Sequence, residues 1–168
     1  MNTAQTENDD FQPSRNELLK LWEKVKGQDL TGLSEIELFY AAIIKKHEAM
    51  FAKEVDGIDH PETHEYLPGQ GVNPYLHILL HGLVATQVIR KKPLEVIPFV
   101  NAMKKKGIDE HTTQHLLCAI FFPLVLEGRN REGEPDMAKY ASLLKKFKTK
   151  TPEKIQAALD KEFHQTSS

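Results

Sequence analysis

Two pairs of histidines, each with its members four residues apart, carry the most chemistry in this chain. "NPYLHILLH" sets His77 and His81 inside a strongly apolar run, and further on "DEHTTQHLL" repeats the spacing at His111 and His115. Residues i and i+4 of a helix share one face, one turn apart, so each pair can converge on a point. Neutral imidazole is the commonest transition-metal ligand, suited to Zn, Fe, Ni or Cu, and adjacent helices of a bundle are a standard place to build such a site. The candidate ligands are therefore His77, His81, His111 and His115. His47, on the apolar stripe of an earlier helix, and Cys118, three residues after His115, are neighbours able to tune or replace one of them. Random placement of 8 histidines in 168 residues gives about 0.4 pairs at this spacing. The sequence has three, but the third, His60 with His64 in "HPETH", brackets a proline in a loop where helical geometry does not apply.

The same residues have a metal-free reading. Folded proteins bury imidazoles whenever each finds a backbone carbonyl or a carboxylate, and a helical interaction module would use its histidines that way. Sharper metal classes fail on spacing. "HEAMF" and "HEYLP" lack the second histidine of a metalloprotease helix. No histidine has Asp or Glu three residues before it, as carboxylate-bridged di-iron bundles require. Four histidines would close a tetrahedral zinc site, whereas a catalytic zinc keeps a position open. Phosphate-binding glycine loops and haem-attachment motifs are also missing. Cys118 in "HLLCAIFF" reads first as a small apolar residue of a helix.

These side chains need helices to hold them. The chain is 40% hydrophobic and 27% charged, rich in Leu, Ala, Lys and Glu, and poor in the Val and Thr that favour strands. We expect an all-α single-domain bundle of six or seven helices over residues 13–163, with a flexible arm over 1–12 and a flexible tail over 164–168. Ser14 with Glu17 and Ser34 with Glu37 form capping boxes that open the first two helices, the second running to about Val55. A breaker-rich loop follows to Val72. Asn73 then caps a central helix with Pro74 in its first turn, apolar over most of its circumference and ending near Lys91. A short piece between Pro93 and "KKKG" precedes a helix capped by Asp109 that runs to about Glu127 with a kink expected at Pro123. Two further helices occupy Pro135 to about Lys148 and Pro152 to about Phe163.

The formal net charge of -2 implies neither a polyanion nor an anionic membrane as partner. The lysines at 104–106 and 145–150 lack interleaved aromatics apart from Phe147, so they read as solvated helix ends and nucleic acid is not expected. No apolar run approaches a membrane span, the first residues carry no secretory pattern, and the single cysteine suits a reducing compartment. A cytoplasmic location is the expectation.

"GQGVNPYLHILLHGLVATQ" followed by "DEHTTQHLL" resembles a bacterial family known as domain of unknown function 1841. Its pattern is Asn-Pro-Phe-Leu-His-x-x-x-His, then Glu-Gln, then His-x-x-x-His-x-x-x-Glu. The resemblance spans roughly Ile36 to Glu127. Asn73, Pro74, Leu76, His77, His81, Gln87, His111 and His115 match, Tyr75 stands for Phe, and His47 corresponds to an upstream histidine. Two carboxylates of the pattern are replaced, by Thr86 and by Ala119. The resemblance implies a shared helical fold and a shared histidine centre, and brings no activity with it.

Overall fold

The computed structural model describes residues 12–67, 69–131 and 133–164. The arm and tail expected at the ends lie outside these but for Gln12 and His164. The described residues form eight helices and no strand: α1 (Arg15–Lys26), α2 (Glu35–Lys45), α3 (Glu48–Phe51, continued by a π-helical turn Ala52–Asp56), α4 (Pro74–Arg90), α5 (Val96–Lys105), α6 (Glu110–Asn130), α7 (Met137–Phe147) and α8 (Pro152–His164). The all-α expectation holds, and its count of six or seven is corrected to eight. The extra helix arises because the segment expected as one helix from Ser34 to Val55 breaks at His47, whose φ of -120° and ψ of 25° leave the helical region.

The starts follow the local signals. Both capping boxes form, with Ser14 accepting from the Glu17 N–H and Ser34 from that of Glu37 while each glutamate reaches back to its cap. Asn73 Oδ1 accepts from the N–H groups of Tyr75 and Leu76 at 3.1 and 3.2 Å, and Asp109 Oδ1 from that of Thr112 at 2.8 Å. α6 continues through Pro123 to Asn130, three residues beyond the expected end near Glu127.

The chain divides into two compact units, Met1–Gly82 and Leu83–Ser168, with the boundary inside α4. In the first, α1 packs on α2 around a core that includes Leu18, Trp22, Tyr40, Ile44, Phe51, Tyr75 and Ile78. Burial of these large apolar side chains, at about 1.5–3 kcal/mol each, is its main source of stability. The loop after the π turn is pinned to it. The Arg15 guanidinium donates to the His64 carbonyl at 2.7 Å and lies 4.6 Å from the centre of the Tyr75 ring, whose hydroxyl donates to the Pro61 carbonyl at 3.1 Å. In the second unit α6 packs against α5, α7 and α8, and Phe99, Met103, Leu117, Ile120, Leu124, Tyr140, Leu144 and Phe147 are fully buried. The Tyr140 hydroxyl donates to Gln87 Oε1 at 2.7 Å, which ties α7 to the last turns of α4.

Candidate functional site

The first unit brings three histidines together. His77 and His81 share a face of α4, their ring centroids 4.8 Å apart. His47, at the break between α2 and α3, lies 4.8 Å from the His77 ring and 4.5 Å from the His81 ring, edge-on to both. Each of the three offers a ring nitrogen within 4.8 Å of the other two. Nitrogens held at 2.0–2.1 Å by a tetrahedral zinc stand about 3.3 Å apart, so small ring rotations would bring the three onto one ion. His81 is 1% and His47 8% exposed, whereas His77 is half-buried, so the cluster is largely shielded with its least covered side at His77.

His47 is oriented by its own helix. Its Nδ1 lies 2.8 Å from the Ile43 carbonyl oxygen. A carbonyl only accepts, so Nδ1 carries the hydrogen, and in the neutral ring Nε2 carries the lone pair. Metal-ligating histidines are usually held this way, the second ring nitrogen donating to a carbonyl or carboxylate that fixes tautomer and orientation.

Gly82, next to His81, sets how closely α4 meets α2. A Cβ there would lie 2.7 Å from Tyr40 Cε1 and 2.8 Å from its hydroxyl oxygen, inside van der Waals contact with a buried ring. The absence of a side chain lets the two helices come near enough for His47 to meet His77 and His81. Neither the Ile43 carbonyl nor Gly82 is singled out by the histidine spacing. A lone glycine inside a helical pattern costs stability relative to alanine, and the one in "HGLVA" is the only hint the sequence gives of this packing.

In the second unit His111 and His115 face each other on α6, ring centroids 4.3 Å apart and both half-buried. Cys118, one turn on, is buried, and burial pushes its thiol up to about 12. It is therefore an un-ionised thiol at neutral pH. The third pair is engaged separately within the 57–73 loop, His60 Nδ1 lying 3.6 Å from Glu62 Oε1 and the His64 ring packing edge-on to Tyr66.

Among the described residues the protein is a helical fold with a shielded triplet of histidines. The family described as Domain of unknown function (DUF1841) matches residues 10–146, and the chain belongs to it. No curated protein and no solved structure matches. No helix among the described residues is long and apolar enough to cross a membrane.

Proposed function

We propose that this protein binds one transition-metal ion through imidazole nitrogens, with His47, His77 and His81 as the core of the ligand set. The observation that carries the reading is the approach of three ring nitrogens to within 4.8 Å of one another in a shielded place, one ring held by a backbone carbonyl. A set of neutral nitrogen donors suits Zn, Fe, Ni or Cu, and disfavours Mg and Ca, which prefer oxygen. His111 and His115 are kept as further ligands on grounds of sequence, because they repeat the spacing of the first pair and the family match spans both pairs. Cys118 keeps its place as a neighbour. A reducing compartment such as the cytoplasm fits a chain with one cysteine.

The test is elemental analysis of untagged protein, reconstituted separately with Zn, Fe, Ni and Cu, beside single His→Ala variants at 47, 77, 81, 111 and 115. Near-stoichiometric metal that is lost in His47→Ala, His77→Ala and His81→Ala supports the reading, and the variants at 111 and 115 report whether the second pair contributes. Wild-type protein that takes up none of the four metals overturns it and leaves the alternative, a metal-free helical interaction module whose histidines pack against one another.

A further inference from the structure

The net charge of -2 conceals a segregation of charge. Residues 1–82 carry 7 Lys and Arg against 14 Asp and Glu, whereas residues 83–168 carry 15 against 10. The second unit is thus net positive by five. Part of that charge sits at the connection between α4 and α5, in "IRKKPL", where Arg90, Lys91 and Lys92 are all exposed. The two most exposed large apolar residues among those described flank them, Ile89 at 71% and Leu94 at 78%. Lys145 of α7 reaches the same connection, 3.5 Å from Glu95.

The backbone of this connection is specified in detail. Lys92 N–H donates to the Gln87 carbonyl at 3.0 Å and Lys91 N–H to that of Val88 at 3.3 Å, the pair of bonds that closes a Schellman helix end. That motif places one residue in the left-handed region, and here it is Lys91, with φ of 56°. Glycine fits this position without the Cβ penalty, as it does at Gly107, where Ile108 and Gly107 make the corresponding bonds at the end of α5 with φ of 77°. A lysine therefore stands where the fold favours glycine, at the centre of an exposed cationic and apolar tip.

From these features we propose that the α4–α5 connection is a peripheral contact for an anionic lipid surface, with Ile89 and Leu94 entering the boundary between headgroups and acyl chains and Arg90, Lys91 and Lys92 meeting the headgroup phosphates. The mixture chooses the partner. Nucleic acid would draw on the cations alone and leave two large aliphatic side chains in water, whereas an anionic bilayer uses both, adding apolar burial to the attraction of each basic residue for its negative surface. The lysine in the left-handed position has a reason on this reading, since a glycine there would remove a charge from the tip.

The experiment is co-sedimentation of the full chain with phosphatidylglycerol/phosphatidylcholine vesicles at 1:1, and with pure phosphatidylcholine vesicles, at low salt. Binding is expected to the mixed vesicles only. The variant I89S/L94S, which keeps every charge, should bind about ten-fold more weakly. K91G should bind about five-fold more weakly while melting at a higher temperature than wild type, a combination that a purely structural lysine would not produce. In L94W, the indole emission should shift to the blue with mixed vesicles against the constant background of buried Trp22. Equal binding to neutral and mixed vesicles overturns the proposal, as does I89S/L94S binding the mixed vesicles like wild type. The latter result would assign the cations to a polyanion such as nucleic acid.

Discussion

His47 Nδ1 donates to the carbonyl oxygen of Ile43 at 2.8 Å, and so takes the acceptor that an uninterrupted helix would give to the backbone N–H of His47 itself. That N–H turns instead to the Ile44 carbonyl, also at 2.8 Å, and the helix restarts when Phe51 N–H donates to the His47 carbonyl at 3.1 Å. The break that separates α2 from α3 and the orientation of the ring toward His77 and His81 are one event. His47→Leu, which removes the competing donor, is expected to join α2 to α3, with slower hydrogen exchange at the amide of residue 47. The same variant should bind metal more weakly by more than about ten-fold, the scale of loss on removing even an outer partner of a ligand. Unchanged exchange at this amide would mean that the ring does not cause the break.

Gly82 tests the packing that brings the histidines together. Gly82→Ala puts a methyl 2.7 Å from a ring carbon of Tyr40, which is 4% exposed and has little room to yield. Overpacking of this kind costs about 1–3 kcal/mol, read as a lower denaturant midpoint. Tyr40→Leu in the same chain should recover part of it by vacating the contact. An alanine variant as stable as wild type would show that α4 can move away from α2 without cost.

The two capping boxes carry an acid sensitivity of known sign. Hydrogen bonds from the backbone and hydroxyl of Ser14 hold Glu17 below the ordinary carboxylate value, and those of Ser34 do the same for Glu37. A carboxylate whose folded pKa is lowered adds stability above its unfolded pKa, and that contribution is lost as pH falls through the folded value. Melting temperature should therefore decline through the acidic range, and E17Q/E37Q should flatten the decline while lowering the neutral-pH value. A double variant with the wild-type slope would contradict the assignment.

Cys118 should resist alkylation in the native protein. Its thiol is buried and pushed up to about 12, so the reactive thiolate is scarce at pH 7 and little of the sulfur is accessible. Iodoacetamide labelling followed by mass spectrometry is expected to track unfolding, slow in buffer and complete in denaturant. Rapid labelling of folded protein would show that the α6 environment opens.

Much of the helical plan is legible in local chemistry. Ser14 with Glu17, Ser34 with Glu37, Asn73 before Pro74, and Asp109 mark starts because a cap needs only a side-chain acceptor and the few N–H groups that follow it. The break at His47 is not legible in this way. Met50, Phe51 and Val55 carry the apolar period straight through it, and what decides the outcome is a contest between a ring nitrogen and a backbone amide for one carbonyl. Pro123 lies inside α6, which runs through it as the apolar pattern on both sides of it implies, and only the end point moves, to Asn130.

By itself the sequence determines the all-helical class, the caps, and the two histidine pairs, because these depend on residues within a turn of one another and on a period of 3.6. It also determines the total charge, which is a sum and carries no geometry. Tertiary structure alone decides that His47 meets His77 and His81, since that requires two distant segments to approach across Gly82 and Tyr40. It likewise decides that Ile89 and Leu94 stay in water beside the basic residues of the α4–α5 connection. An apolar residue in a helical pattern is exposed or buried according to what packs over it, and the pattern does not contain that information.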